Sequence, residues 1–128
     1  MEDITMEFSR IFVTATREKC EYYKHVNAPA FRRSFNLSKK PDSAQILICG
    51  LGFYDLFVNG EKITKGLMAP YISNPDDYTV FDKYDLTDRL TAGENVIGVV
   101  LGNGMQNPMT EVWEFSKAKY AASPKLAL

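Results

Sequence analysis

The sequence predicts an all-β protein, an antiparallel, jelly-roll-like β-sandwich with at most one or two short helical turns. Three observations between residues 50 and 104 carry this prediction. Apolar runs rich in β-formers are separated by turn residues. The pair Asn59-Gly60 is a strong hairpin signal, because both residues tolerate positive φ. The run at residues 96–101 is apolar on both faces, as a central strand between two layers would be.

The first predicted strand covers residues 30–37. Its sequence AFRRSFNL places aromatic and aliphatic side chains on one face and polar ones on the other, as a half-buried strand requires. Arg33 interrupts the apolar face. We expect Arg33 either to lie at the rim of the sandwich or to meet a carboxylate.

The second predicted strand covers residues 44–49, with Ile46 and Ile48 on one face. The triplet Gly50-Leu51-Gly52 is expected to interrupt it, because glycine in a β-pattern marks a bulge, a bend or the close approach of another backbone. Residues 53–58 then form a strand. Residues 61–63 are expected to pair back on it across the Asn59-Gly60 turn.

A long ordered loop is predicted for residues 66–78 and a strand for residues 79–84. A single helical turn follows at residues 85–90, with the Thr87 hydroxyl as its cap. Residues 105–122 allow either a short helix or a loop. Residues 126–128 begin another strand, which suggests a fragment cut near a domain edge. The predicted organisation is an N-terminal arm at 1–27, with one short strand at most, and a sandwich at 28–128 that is truncated at its C-terminal edge.

Composition narrows the range of functions. The chain has 128 residues, of which 45% are hydrophobic, and a formal net charge of -1. This balance lacks the positive field that nucleic-acid binding requires. No apolar run approaches the ~20 residues that cross a bilayer, so no membrane partner is expected. Cys20 and Cys49 lack metal-site spacing and are expected to be free thiols. With no leader sequence apparent, a cytoplasmic location is the default expectation.

Five blocks in a fixed order carry a family resemblance: GLGFYDLFVNG, LMAPYISNPDDY, FDKYDLTDRL, GENVIGVVLGNG and the final KLAL. Together they resemble the N-terminal β-sandwich domain of bacterial α-L-rhamnosidases, whose fold is galactose-binding-domain-like. The resemblance covers about residues 28–128. Sugar-binding jelly-roll domains of β-galactosidases and β-glucuronidases share a looser version of the pattern. One departure is Met105, because the residue after Gly104 is usually aromatic in such proteins.

The resemblance implies that this chain is a non-catalytic accessory domain of an enzyme that hydrolyses terminal α-L-rhamnose from glycosides with inversion. Inversion needs two carboxyl groups about 6.5–9.5 Å apart. In the family both come from a separate helical domain, which would be the partner of this one. No catalytic residue and no cofactor is therefore assigned, and the fragment is expected to be inactive alone. The alternative is an autonomous carbohydrate-binding module, and a homodimer through an exposed edge is compatible with either.

Candidate sugar-binding residues are those that could stack on a sugar ring or bond its hydroxyl groups. Each could equally be a packing or strand-end residue. They are Tyr71, Tyr78, Asn103 and Trp113. Asp76, Asp77 and Asp82 could in principle bind calcium, but turn-capping roles explain them better, so no metal site is predicted. His25 is the only histidine, which excludes zinc triads.

Overall fold

The computed structural model describes residues 11–109 and 117–128, and regular structure in this part of the chain consists of β-strands. This confirms the all-β prediction. The seven strands are β1 (Ala30–Leu37), β2 (Gln45–Leu51), β3 (Tyr54–Val58), β4 (Glu61–Lys62), β5 (Asp82–Asp85), β6 (Gly93–Leu101) and β7 (Lys125–Ala127). None of the described residues belongs to a helix that is long and apolar enough to span a membrane.

The strands form two antiparallel sheets that pack as a sandwich. The first sheet has the order β1-β6-β3-β4 and the second the order β5-β2-β7. Buried apolar side chains from both sheets form one core. These include Ile48 of β2, Leu56 of β3, Leu101 of β6 and Leu126 of β7, each at most 2% exposed. The predicted β-sandwich is therefore confirmed.

Strand β1 lies where the alternation of its side chains predicted. It pairs with β6 along its whole length, with Phe31 opposite Val99 and Leu37 opposite Gly93. Phe31, Phe35 and Leu37 pack against the core. Strand β6 begins three residues before the predicted position, because β1 continues the ladder as far as Gly93.

The Asn59-Gly60 pair forms the predicted hairpin between β3 and β4. Both residues have positive φ, 51° and 83° respectively, which gives the turn the twist of its flanking strands. Val58 lies opposite Glu61 across the turn. The Ile63 N–H also bonds to the Leu56 carbonyl over 2.8 Å, so pairing extends through the predicted 61–63 segment.

Two predicted details around β2 are wrong. The triplet Gly50-Leu51-Gly52 does not interrupt the strand at Gly50, because Gly50 and Leu51 pair with Leu126 and Lys125 of β7. The interruption comes at Gly52. Strand β5 spans Asp82–Asp85 instead of the predicted 79–84, and it pairs with Gln45–Ile48 of β2.

The turn after β5 has a different cap from the one predicted. The Asp85 carboxylate accepts the Thr87 N–H over 2.8 Å. The Thr87 hydroxyl instead accepts the Ala44 N–H over 3.1 Å and so binds the turn to the start of β2. The turn itself and the inward position of Leu90 are as predicted, with the Leu90 N–H bonded to the Leu86 carbonyl over 3.2 Å.

The buried side-chain amide of Asn95 holds the connection between this turn and β6 by hydrogen bonds. Asn95 is fully buried. Its Oδ1 accepts the Thr91 N–H and the Asn59 Nδ2–H, each over 2.9 Å. Its Nδ2 donates to the carbonyls of Thr91 over 2.7 Å and Gly93 over 3.1 Å. Asn95 therefore fixes the start of β6 against the β3–β4 hairpin.

The described part of the N-terminal arm lies against the outer side of β7. Val13 and Leu126 exchange two backbone hydrogen bonds of 2.8 and 2.9 Å. Further along the arm, the Cys20 N–H donates to Asn107 Oδ1 over 3.1 Å. Cys20 and Cys49 are both buried free thiols. The division into an arm at 1–27 and a sandwich at 28–128 remains a prediction.

Candidate functional site

A shallow groove lies between the end of β2, the long loop after β4 and the segment after β6. Its wall is mainly apolar, with a few polar groups. The residues that line it include Leu51, Phe53, Tyr71, Ile72, Met105 and Gln106. Among the described residues, no aspartate or glutamate lines this groove.

Backbone hydrogen bonds fix the floor of the groove. The Tyr54 N–H donates to the Ala69 carbonyl over 2.6 Å, which attaches the long loop to the start of β3. The Gly102 N–H donates to the Phe53 carbonyl, also over 2.6 Å. The end of β6 is thereby held beside Phe53, and Met105 follows at the rim.

The far part of the loop is ordered by Asn74. Its carbonyl accepts the N–H groups of Asp77 and Tyr78 over 2.9 and 3.0 Å. Its side-chain amide donates to Asp77 Oδ2 over 2.8 Å. Asp76 in turn accepts the Lys119 N–H over 3.1 Å. The residues at the groove rim are thus presented by a bonded loop, as the Asn-Pro and Asp-Asp pairs predicted.

Gln106 is the most informative polar residue of the groove. Its side chain is 5% exposed, and its Nε2 donates to the Tyr120 carbonyl over 2.8 Å. Among the described residues, its Oε1 has no hydrogen-bond partner. An unpaired buried acceptor costs about 1–3 kcal/mol, and this oxygen has almost no solvent-accessible surface.

The four predicted sugar-contact residues have different surroundings. Tyr71 lines the groove and is 84% exposed, beside Met105, which is 43% exposed. Tyr78 is 62% exposed but is not part of the groove wall. Asn103 donates to the Val26 carbonyl over 2.6 Å and accepts from Asn107 over 3.0 Å. Trp113 lies outside the described residues.

The hydrogen bonds of Asn103 are those expected of a strand-end residue, and sugar contact by Asn103 stays a prediction. Its amide, together with Asn107, connects the end of β6 to the N-terminal arm. Tyr71 has the exposure that stacking on a sugar ring requires, and Met105 lines the same groove. Sequence reasoning missed Gln106, because nothing in the sequence marks one amide oxygen as buried and unpaired.

The acidic residues weighed as calcium ligands have separate partners. Asp76 and Asp77 bond within the loop, as described above. Asp82 accepts a short hydrogen bond from the Tyr54 hydroxyl. Among residues 11–109 and 117–128, no group of three or more histidine, cysteine, aspartate or glutamate side chains has a metal-binding arrangement.

The Tyr54–Asp82 bond connects the two sheets, because Tyr54 belongs to β3 and Asp82 to β5. The Tyr54 hydroxyl also lies 3.0 Å from that of Tyr84. Burial, followed by the hydrogen bond to Asp82, raises the pKa of Tyr54 far above its ordinary value. Burial, followed by the charge of Asp82, likewise raises the pKa of the Cys49 thiol. These groups are held neutral inside the sandwich and contribute to its packing.

The fold is a two-layer antiparallel β-sandwich, an architecture that hosts many functions. The family model of the α-L-rhamnosidase N-terminal domain matches residues 39–128. The chain belongs to this family, as its five sequence blocks predicted.

Several α-L-rhamnosidases are similar to this chain. One from Formosa agariphila is 47% identical over 77 residues, which cover 60% of this chain and 8% of that protein. The structure of the enzyme from Dictyoglumus thermophilum superposes with a TM-score of 0.63 at 37% identity, covering 78% of this chain and 10% of that one. The enzyme from Aspergillus terreus shares the fold, with a TM-score of 0.71 at 24% identity over 91% of this chain and 13% of that one.

This chain therefore spans about a tenth of the length of the relatives that it matches.

Proposed function

We propose that this domain is a non-catalytic part of a longer α-L-rhamnosidase, in which it packs beside a helical catalytic domain and shapes the approach to the active site. The observation that carries the proposal is the family match over residues 39–128, together with the small share of each relative that the chain covers. Hydrolysis of a terminal α-L-rhamnoside needs a carboxylic acid and a carboxylate facing the same sugar. Among the described residues, the groove has neither group, so we assign the reaction to another part of the longer protein.

An aryl α-L-rhamnoside assay tests this proposal. The purified 128-residue protein should release no aryl alcohol above the rate of a heat-unfolded sample. Specific activity that stays constant through successive purification steps and disappears on unfolding would contradict the proposal. A full-length α-L-rhamnosidase serves as the positive control for the substrate.

A second candidate function is the binding of a rhamnose-containing glycan in the groove. It is favoured by the exposed ring of Tyr71, which lines the groove together with Gln106. An aromatic face stacks on the C–H face of a sugar, while an amide oxygen accepts a hydrogen bond from a hydroxyl group. With Met105 in place of an aromatic residue, we expect weak binding, with a Kd on the order of 1 mM.

Titration with L-rhamnose, followed by NMR shifts of groove amides, tests the binding proposal. Tyr71→Ala should weaken binding about tenfold, since an aromatic contact contributes roughly 0.5–1.5 kcal/mol. Tyr23→Ala is the matched control, because Tyr23 is 93% exposed and lies outside the groove. Met105→Trp should strengthen binding. Equal affinities in all of these variants, or no shifts at ~20 mM sugar, would reject the groove as a sugar site.

A further inference from the structure

The outer face of the four-stranded sheet is apolar at its centre. By the two-residue period of a strand, Val96 and Val100 of β6 and Phe57 of β3 point away from the core. Val100 is 40% exposed. An antiparallel sheet that faces water on one side usually carries polar residues there. This face therefore has the composition of a surface that another element covers.

Gly98 lies at the middle of this face. Arg32 and Phe57 are directly opposite it on the two neighbouring strands. Glycine inside a strand weakens the strand and marks a bulge, a bend or the close approach of another group. The pairing register runs through Gly98 unbroken on both sides. Its φ is outside the left-handed region, and a Cβ built on it would lie 3.8 Å from its nearest neighbours. The packing of the described residues thus has room for a side chain at Gly98.

The missing side chain leaves a trough of about 280 Å³ along β6. Arg32 of β1 and Phe57 of β3 form its two sides. Strands of a sheet are about 4.8 Å apart, so β1 and β3 are separated by roughly 10 Å. An α-helix with its side chains is about 10–12 Å across. The trough therefore has the width of one helix lying along β6.

The outer face of the other sheet is covered by the chain itself. Cys49 and Ala127, which are paired on the outward side of β2 and β7, are each 2% exposed. The Cys49 thiol forms a hydrogen bond with the side chain of Thr79, in the segment before β5. On the four-stranded sheet, by contrast, Arg32 and Val100 remain exposed in the part of the chain that the structure describes.

The trough is separate from the interlayer cleft, a space of about 430 Å³ between the two sheets that Phe35, Ile97 and Leu128 help to line. Arg33 also lines this cleft, is exposed, and forms no ion pair with any described residue. Of the two positions expected for Arg33, the rim is therefore the one observed. Its neighbour Arg32 points to the opposite side of β1 and belongs to the trough.

The chemistry of the trough favours a protein occupant over a sugar. Arg32 has the one polar side chain among the described residues that line it. A sugar would leave most of its hydroxyl groups without partners there, which is costly. Arg32 forms no ion pair within the described ranges, whereas Lys62, on the far side of Phe57, is paired with Asp55 over 2.8 Å. An apolar surface with one carboxylate fits this distribution.

A second copy of the chain fits the face poorly. The row across the four strands consists of Arg32, Gly98, Phe57 and Lys62. A two-fold axis that places the Phe57 ring of each copy over Gly98 of the other exchanges β1 with β4. Arg32 would then lie over Lys62, and like charges that oppose each other disfavour association.

We propose that the outer face of the four-stranded sheet is a docking surface for one α-helix of the longer polypeptide. The helix lies along β6 with its apolar side over Gly98, and one of its carboxylates pairs with Arg32. This inference rests on the proposed function, because it requires the longer protein, of which this chain covers 8% and 10% in two relatives. It is independent of sugar binding in the groove.

Thiol labelling tests the docking surface. Val100→Cys is made in the 128-residue chain and in the longer polypeptide, and its reaction with a maleimide is followed against the unsubstituted forms, in which Cys20 and Cys49 are buried. The new thiol should react at least about 100-fold more slowly in the longer polypeptide, because a docked helix must open before the reagent can enter. Asp42→Cys, at a fully exposed turn, is the control and should react equally in both.

Two further substitutions test the trough and its charge. Gly98→Val should raise the Tm of the 128-residue chain by about 3–5 °C, since glycine weakens a strand. In the longer polypeptide it should return the labelling of Val100→Cys to the rate of the isolated chain, because the valine fills the trough. Arg32→Gln should speed the labelling about tenfold there, as expected for the loss of one charged hydrogen bond. Arg33→Gln, on the opposite face, is its matched control and should have no effect.

A photo-crosslinker tests that the occupant is a helix. Placed on Ser34→Cys, which is exposed beside Val96, it should reach residues of the longer polypeptide that are three or four positions apart. Crosslinks to alternate residues would identify a strand and contradict the proposal.

Three other outcomes would overturn the proposal. Equal labelling of Val100→Cys in both forms would show that the face is open. Labelling of the 128-residue chain that slows as its concentration increases would identify a second copy as the occupant. Protection that survives Gly98→Val would show that the trough is empty. An aryl α-L-rhamnoside assay on the same samples separates the two proposals: an active longer polypeptide with an open face contradicts the docking surface alone, and activity of the 128-residue chain contradicts the proposed function.

Discussion

The two sheets meet differently in two regions of the sandwich. At the junction of Gly52 and Gly102 the backbones touch, since a Cβ built on Gly52 would lie 2.3 Å from the Gly102 carbonyl oxygen. At the interlayer cleft, the same sheets leave a space of about 430 Å³ between Phe31 and Leu128. The difference separates a closely packed part of the core from a part that is packed more loosely.

The same contrast indicates that the region near the junction contributes most to the free energy of unfolding of the isolated domain. Side chains with almost no exposure cluster on β3, on β6 and on the half of β2 near the junction. At the cleft, Leu126 is buried, but Phe31, Phe35 and Leu128 keep part of their surface exposed. Truncations of buried side chains near the junction should therefore be costly, while truncations of exposed side chains at the cleft should be mild.

The largest loss of unfolding free energy is expected for Gly52→Ala. Gly52 has a φ of 126°, which strains any residue with a Cβ, and the added methyl would collide with the backbone of Gly102. Strain of about 1–3 kcal/mol and overpacking of about 1–3 kcal/mol give an expected loss of about 4 kcal/mol. Urea unfolding measures it. Gly60→Ala is the control, because Gly60 has positive φ but open space around it. Equal losses in both variants would contradict the close approach.

A somewhat smaller effect is expected for Leu56→Ala in the completed core. Leu56 is fully buried, and truncation of such a leucine costs about 2–5 kcal/mol. Leu128→Ala makes the same chemical change at the cleft, where Leu128 is 47% exposed, and should cost less than about 1 kcal/mol. Thermal and urea unfolding of the two variants compare the regions directly. Similar losses would mean that the cleft is packed as tightly as the junction.

The next effect is expected for Asn95→Ala, at about 2 kcal/mol. The substitution removes four hydrogen bonds that hold the start of β6, each with a net value near 1 kcal/mol. Solvent can replace some of them, because Thr91 and Asn59 are exposed. Asn36→Ala, at an exposed site of β1, is the control and should stay within about 0.5 kcal/mol. A loss of the same size at Asn36 would contradict the special role of Asn95.

Much of the fold could be predicted from local patterns. Alternation located β1, the Asn59-Gly60 pair located the hairpin, and the apolar run located β6. Each of these signals depends on residues close in sequence. The ends of the strands were less predictable, because the end of a strand depends on pairing with residues far away in the sequence. Strand β2 pairs with β5 through Gln45–Ile48 and with β7 through residues 49–51. Strand β7 lies more than 70 residues later in the sequence than β2. Local patterns do not reveal this pairing, so they could not show that β2 continues through Gly50 and ends before Gly52.

The candidate site was less predictable than the fold. Tyr71 was a candidate because of its residue type, and its exposure follows from the path of the loop. Gln106 was identified only from the structure, in which its Nε2 donates to the Tyr120 carbonyl while its Oε1 has no partner among the described residues. Arg33 was recognised as a mismatch on an apolar face. The sequence could not decide its partner, because the answer depends on which strand lies opposite.

The smallest expected change in stability concerns the hydrogen bond between Tyr54 of β3 and Asp82 of β5, which connects the two sheets. Tyr54 is 2% exposed, and the folded protein raises its pKa well above the ordinary tyrosine value of about 10. The unfolded chain loses this proton above pH ~10, whereas the folded protein retains it. Stability from this group is therefore complete below pH ~10 and decreases above it, by about 1.4 kcal/mol per pH unit.

Urea unfolding of wild type and Tyr54→Phe between pH 8 and 11.5 isolates this effect. Lysine titration affects both proteins alike, so it cancels in their difference in unfolding free energy. Below pH ~10 the difference should be constant and should reflect the lost bonds to Asp82 and Tyr84. Above that pH the advantage of the wild type should shrink, because only the wild type must keep a buried phenol protonated. A difference that is independent of pH would mean that Tyr54 ionises as easily in the folded protein as in the unfolded chain, and that its hydroxyl reaches solvent.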